Sequence, residues 1–556
     1  MTAAEDVPQL RPPGEVMRLE RMGASFPTRL SFMRQLVRRM IRERWRFERM
    51  RLDLDHNGTG VTLHAVHGRH RTYTLVGFSG SIDPRERTDR VIANVWDTTF
   101  SLFDGVPGAA DIERLEANTP RQEAGRFRAS ELVLARANRS GRIFDHVVDS
   151  LAGGRQPCRD LLRDVGYLMR TTAVYGSGKF GCADRGRIAG REELRGPFQA
   201  ELLAVYLIRW MSVDLVNHMA RQRSGLKAAE LSEDLARTLG IGNATGLGMA
   251  PFLVKHPLLI NNWVMARENA LLRVRKVERA TPDTIAEFRE LLDDARRHVA
   301  AWAVDDPEQS ARISRLGDDL ARLDTWCDDG LDGERPFDAL WRLASRRFSL
   351  EGQEMVVALL LEHQGTLIDG LCESMSSGGL PALKAAMPLG DLINLIDDNY
   401  GWALAIDHAA PESRQRFWYY SQEKLEPRVG DRYTEPGADL EMAVAIGRDV
   451  AMLRAGLLDH DPRISVADFL VTAPEWRSTV RRVQHLAHLP YAEIRDNLLA
   501  ADRRPVDILR FKLAFFGANG FDPKSDLWTR VTMYQGAPLP ADITGGTEPQ
   551  WIFPCP

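Results

Sequence analysis

The apolar positions of the chain follow two rhythms. Between residues 30 and 50, Met33, Val37, Met40, Ile41 and Trp45 recur near helical spacing, and Arg34, Arg38, Arg39, Arg42 and Arg46 fill much of the rest. This predicts an amphipathic helix with a basic polar side. The period then shortens. Met50, Leu52 and Leu54 alternate with charged residues, Asn57-Gly58 supplies a turn that tolerates positive φ, Val61, Leu63 and Ala65 alternate again, and 73–78 is rich in β-formers. The spacing predicts a small antiparallel sheet, the only one expected. Ile92, Val95, Trp96, Thr99 and Phe103 return to helical spacing.

From about Asp111 the pattern is mostly helical, with helices expected over 130–151, 159–172, 197–220, 257–277, 281–304, 350–374, 390–406, 439–458 and 476–488. Thr281-Pro282 pairs a hydroxyl cap with a first-turn proline. Linkers are expected at 305–309, 328–336, 376–381 and 427–437. The expected fold class is mainly α: a large multi-helix body with a small N-terminal α+β module containing a short antiparallel sheet. The expected division is 1–108 for that module, 109–336 for a helical lobe with the glycine-rich loops, and 337–556 for a helical lobe with an extended C-terminal tail. The tail, Trp551-Ile-Phe-Pro-Cys-Pro, is apolar and proline-broken. It is expected to pack in a groove or against a second copy of the chain, which leaves a homo-oligomer open.

Composition narrows the class. The 556 residues are 44% hydrophobic and 27% charged, the balance of a globular protein. Lys+Arg 73 against Asp+Glu 77 gives a net charge of -4, which argues against a whole-chain nucleic-acid binder. The 5 cysteines are scattered and form no C-x-x-C, so neither a disulfide framework nor a zinc-thiolate site is expected. The first residues carry no basic and apolar leader, and the longest apolar runs fall short of the ~20 residues of a membrane span. A cytoplasmic protein is the expectation.

Glycine clusters carry the candidate chemistry. Tyr175-Gly-Ser177-Gly-Lys179-Phe-Gly181 combines free amides, a hydroxyl and a cation, which suits a phosphate or carboxylate. It is not a Walker loop, because Phe180 follows the lysine. A helix stop followed by a loop is the plain alternative. The second cluster, Gly240-Ile-Gly242-Asn243-Ala-Thr245-Gly246-Leu-Gly248, runs toward a helix opening at Pro257. Such a loop offers amides and the positive helix end to an anion. Its plain alternative is a connection crossing close to another backbone. Lys255, His256, Asn261 and Arg267 follow in an otherwise apolar stretch.

Acidic and aromatic groups supply candidates for proton transfer. Asp397 and Asp398 sit among Leu and Ile, with Arg416, Lys424 and Arg428 close behind, and Phe417-Trp418-Tyr419-Tyr420 lies between. Four successive aromatics cannot all enter one core, so some line a pocket or an interface. Glu362, Thr366, Asp369 and Glu373 share one helical face, as metal ligands or an acid/base cluster, or else as a solvated face or an inter-helix row of ion pairs, the latter two favoured. His64, His67 and His70 are spaced against chelation in a strand, His485 and His488 lack a third ligand, and Asp214 could orient His218.

The pattern therefore points to an enzyme of small-molecule metabolism that binds a small anion. Tyr175, Ser177, Lys179, Asn243, Thr245, Lys255, Asn261, Arg267, Arg416 and Lys424 are its binding candidates. Asp397, Asp398, Tyr419, Tyr420 and His256 are its acid/base candidates. No metal site is expected, and no cofactor is assigned, with haem and flavin left open. The competing reading is a helical scaffold that binds nucleic acid or an anionic membrane surface through the arginine-rich helix.

Overall fold

The computed structural model describes residues 7–23, 28–80, 96–119, 128–176, 190–243, 257–302, 307–373, 382–410, 446–486, 488–495, 505–517, 520–525 and 528–552. Its centre is one long helix, Gln199–Ser224, buried on nearly every side. Such a helix needs apolar partners all round, and a curled mixed sheet supplies many of them.

The sheet has nine strands in the order β1-β2-β3-β4-β5-β6-β7-β9-β8. These are β1 Arg46–Leu54, β2 Gly60–His67, β3 Thr72–Ser79, β4 Thr98–Asp104, β5 Glu131–Arg139, β6 Tyr167–Gly176, β7 Gly240–Asn243, β8 Gly520–Ser525 and β9 Trp528–Met533. The first six form an antiparallel meander. β7 then pairs in parallel with β6 and antiparallel with β9. The expected hairpin at Asn57-Gly58 is present, with Gly58 at φ 74°.

The expectation of a mainly α, all-helical body with only a short sheet is thus corrected: the sheet is large, and its strands come from residue 46 to residue 533. Three segments expected to be helical hold its middle. Residues 98–104 form β4. The segment 130–151 is β5 followed by the helix Phe144–Ala152, and 159–172 is the helix Arg159–Val165 followed by β6. The reason is burial on both faces. Val133, Ala135 and Ala137 meet the main core, while their neighbours Leu132, Leu134 and Asn138 are also buried, so the two-residue alternation survives only over 135–138.

Helices expected from spacing are found at α1 Phe32–Arg42, α2 Gln199–Ser224, α3 Pro257–Arg275, α4 Pro282–Ala301, α5 Leu350–His363, α6 Leu389–Leu404, α7 Ile446–Leu457 and α8 Arg477–Leu486. Thr281 caps α4 by accepting from the Thr284 amide at 3.2 Å. Two cores result. The main one joins α1, the inner sheet face, α2, α3, α5 and the residues Phe511, Phe515, Trp551 and Ile552. A separate core of Leu389, Leu392, Ile396, Tyr400, Val450, Leu453, Phe469 and Val480 holds α6, α7 and α8 together with the short helix Val466–Thr472. The tail accordingly packs inward as far as Ile552, with Arg34 lying 5.2 Å over the Trp551 ring.

Candidate functional site

β6 and β7 are the parallel pair among the described strands, and Thr171 and Asn243 are register partners. Parallel pairing gives both strands the same direction. The chain therefore leaves β7 after Asn243 and β6 after Gly176 toward the same end of the sheet. β6 runs five residues past the partner of Asn243, or about 16 Å at strand rise. The two glycine-rich segments begin at these two exits.

A polar row crosses the sheet beside them. Asp97 donates its amide to Asn138 Oδ1 at 2.8 Å, and its Oδ2 accepts the Arg139 amide at 2.8 Å. Asn138 on β5 is the register partner of Arg170 on β6, and Arg170 is the partner of Gly242 on β7. Register partners share a face. Asp97, Asn138 and Arg170 are all buried. Two residues along β5, Arg136 pairs with Thr99 on one side and Ala173 on the other, which places it nearer the exit of β6. Its guanidinium lies 3.9 Å from the centroid of the Trp96 ring. Thr171 Oγ1 takes part in two long contacts at 3.4 Å, donating to the Gly242 carbonyl and accepting from Asn243 Nδ2.

The glycines of the second cluster divide in two. A Cβ on Gly240 would stand 2.3 Å from the Met533 carbonyl oxygen, and one on Gly242 would stand 2.8 Å from the Tyr167 ring. These two glycines are required by close packing inside the sheet, which is the plain alternative for that half of the cluster. Thr245, Gly246 and Gly248 lie outside the described residues, as do Ser177, Lys179, Lys255, His256, Arg416, Tyr419, Tyr420 and Lys424. Tyr175 is in β6 opposite Leu134.

The remaining candidates are not gathered at this end. Arg267 and Glu268 belong to a buried ion cluster that ties α3 to α5 and to the N-terminal segment. Arg11 clamps Glu268 through Nε at 2.8 Å and Nη2 at 2.7 Å and reaches Glu354 with Nη1 at 2.9 Å. Arg267 pairs with Glu354 and donates to the Arg21 carbonyl at 3.2 Å. Burial and the nearby Arg11 push the Arg267 guanidinium down to about 9. Burial opposes ionisation of Glu268, and Arg11 more than offsets it, so that carboxyl sits below its usual range. Asn261 Oδ1 accepts the Tyr491 amide at 3.1 Å. Asp397 and Asp398 lie on α6 over the second core, both exposed, and Asp397 pairs with Arg454.

The acidic stripe is a row of ion pairs as far as it is described. α5 stops at His363, and Gln364 leaves helical geometry. Arg34 forks onto Glu362 at 2.7 and 2.8 Å, and Arg29 forks onto Asp369 at 2.7 and 2.8 Å. Asp214 holds His64 rather than His218, at 2.9 Å, while His218 meets the Leu54 carbonyl. Among the described residues no group of three His, Cys, Asp or Glu side chains could hold a metal ion. None of their helices is long and apolar enough to cross a membrane.

Sequence reasoning missed Asp97, Arg136, Asn138 and Arg170. The available signal was Arg136 and Asn138 alternating with Ala135 and Ala137, a two-residue period inside a segment taken as helical. No family model, curated protein or solved structure matches the chain.

Proposed function

We propose that the chain is an enzyme that takes a small anionic substrate, a carboxylate or a phosphate, where β6 and β7 leave the sheet. The observation that carries this reading is the parallel register of the two strands, which points the ends at which the glycine-rich segments begin toward one end of the sheet. Crevices outside the carboxyl ends of parallel strands are favourable places for ligands, because backbone amides converge there. Arg136 and Arg170 on the adjoining rows supply positive charge. In a site screened from water such charge acts strongly on a bound anion. Lys179 of the first glycine-rich segment is the third cation of the reading. Asp97, hydrogen-bonded to Asn138, whose partner on β6 is Arg170, is the leading described candidate to hold or move a proton.

The arginine-rich helix gives the scaffold reading less support. Arg34 is committed to Glu362, and Arg38 and Arg39 donate to backbone carbonyls of Arg29, Glu193 and Arg195. The test is a thermal-shift screen of small carboxylates and phosphates followed by direct titration. A ligand at about 100 times its dissociation constant should stabilise the fold by ~2.7 kcal/mol. Lys179→Ala and Arg136→Gln should each abolish the shift while leaving the ligand-free melting point nearly unchanged. Undiminished affinity in both variants would overturn the reading.

A further inference from the structure

The five residues 491–495 run along a seam between the two cores. Tyr491 and Ile494 are buried in the main core, and Ala492 is buried in the smaller one. The buried Glu493 accepts the Tyr400 hydroxyl at 3.1 Å and Arg482 Nη2 at 2.6 Å, both from the smaller core's helices. On the main side, two of the seam's hydrogen bonds go to the N-terminal segment. The Tyr491 hydroxyl donates to the Arg11 carbonyl, and the Arg495 amide donates to the Met17 carbonyl, each at 2.6 Å. We propose that residues 9–17 are a latch, a strap pinned to the main body by the Arg11 side chain that holds the seam, and with it the smaller core, in place. This conformational device stands apart from the strand ends of β6 and β7 and does not rest on the reading given for them.

The strap cannot hold itself. Its only helix is the single turn Pro13–Val16, far too short to be stable alone. Its position is borrowed from Arg11, whose guanidinium forks onto Glu268 of α3, reaches Glu354 of α5 and lies 5.1 Å from the centroid of the Trp341 ring. Arg275 Nη1 adds a bond to the Gln9 carbonyl at 3.0 Å, and Val16 and Met17 add apolar contact with the main core. A forked, buried pair of this kind is strong and exacting in geometry. The smaller core, by contrast, is closed on itself. The buried Gln484 of α8 accepts the Lys384 amide at 2.8 Å and donates to the Lys384 carbonyl at 2.9 Å, which clasps the way in to the last helix. The entering segment is held further by Val466, whose amide donates to the Met387 carbonyl, and by Leu389, whose amide donates to the Ile464 carbonyl. A unit closed in this way keeps its own fold when the seam lets go. Coupling between strap and seam is reciprocal, so loosening either should loosen the other.

The experiment is hydrogen exchange of the full-length protein, read by mass spectrometry over peptides that cover 9–17, 491–495, α2 and α6. It compares the parent with Arg11→Gln and Tyr491→Phe. Both variants should speed exchange in 9–17 and in 491–495 together, by about fivefold for Tyr491→Phe and by more than about tenfold for Arg11→Gln, while α6 keeps its parental rate. Acceleration at 491–495 on loss of Arg11 is the telling result, because the hydrogen bonds of that side chain go to α3 and α5 instead. Where Arg11→Gln also speeds exchange in α2, Tyr491→Phe decides alone, since it leaves the ion cluster intact. Acceleration confined to the substituted segment overturns the proposal, because strap and seam would then open independently. Acceleration of α2 alongside the seam in both variants overturns it as well, because the strap would then be an ordinary part of the main core.

Discussion

Single residues show how strongly burial conditions charge in this molecule. The buried Glu268 and the half-buried Glu362 are carboxylates held ionised by arginines, and Asp369 is held in the same way by Arg29. In each case burial opposes the charge, and the guanidinium more than offsets it. Their folded values lie below their unfolded ones, so the stability they contribute is complete above the unfolded carboxylate range. It is lost as pH falls through the folded values. His363, packed edge-on against Phe288 and Phe337, is pressed below its ordinary value by burial. For a base this favours the neutral form in the folded state. Its contribution is full above an unfolded value of about 6.5 and declines below it. Melting temperature should therefore hold level from pH 8 to 7, begin to fall near pH 6.5 and drop steeply below about 4.5. His363→Phe should remove the first decline and leave the second, and a curve unchanged by that substitution would locate the first titration elsewhere. Gly240 is constrained by space instead. A methyl there meets the Met533 carbonyl, so Gly240→Ala should lower stability by about 1–3 kcal/mol in urea unfolding.

Elements explain what the sequence disclosed and what it concealed. The first hairpin was legible because β1 is mostly exposed and keeps its alternation, with a glycine turn to close it. β4 and β5 were not, because they are covered on both faces and their polar residues, buried with the apolar ones, leave no sustained alternation. β7 is four residues long, too short for any period, and its glycines looked like a loop. Half of the candidate site lay in these strands, which is why Arg136, Asn138 and Arg170 were passed over while the glycine clusters were noticed. The capped start at Thr281-Pro282 was easier to read because caps are local. Ser349 caps α5 by accepting the Gly352 amide at 3.1 Å, and it donates its own hydroxyl and amide to Asp319 Oδ2 at 2.6 and 2.9 Å. Ser349→Ala should cost about 1 kcal/mol by chemical denaturation. It should cost less in an Asp319→Ala background, because the two side chains act as one device; strict additivity would show that they do not.

At the scale of the whole molecule, the separation of the two cores sets how it should unfold. The main core draws on both ends of the chain: Arg11 is buried against Glu268 and Glu354, and Trp551 is buried beside Arg34. Sheet, central helix and the segments around Arg11 and Trp551 therefore share one set of contacts and should melt together. The smaller core has its own apolar centre and its own buried polar group, in which Tyr400 donates to Glu493 Oε1 at 3.1 Å and Arg482 pairs with the same carboxylate. Its described ties to the main body include Ile446, which packs against both cores, and Ala492's neighbour Tyr491, which lies in the main core and donates its amide to Asn261 and its hydroxyl to the Arg11 carbonyl at 2.6 Å. Links of that size are small beside either core. Calorimetry should then resolve two transitions. Leu392→Ala should lower one of them by an amount equivalent to about 2–5 kcal/mol, and Phe515→Ala should lower only the other by about 3–5 kcal/mol. Tyr491→Phe should loosen the coupling without shifting either transition by more than about 1 kcal/mol. A single transition displaced by both core variants would mean that the two cores are joined by contacts stronger than these hydrogen bonds, and the molecule would have to be treated as one cooperative unit.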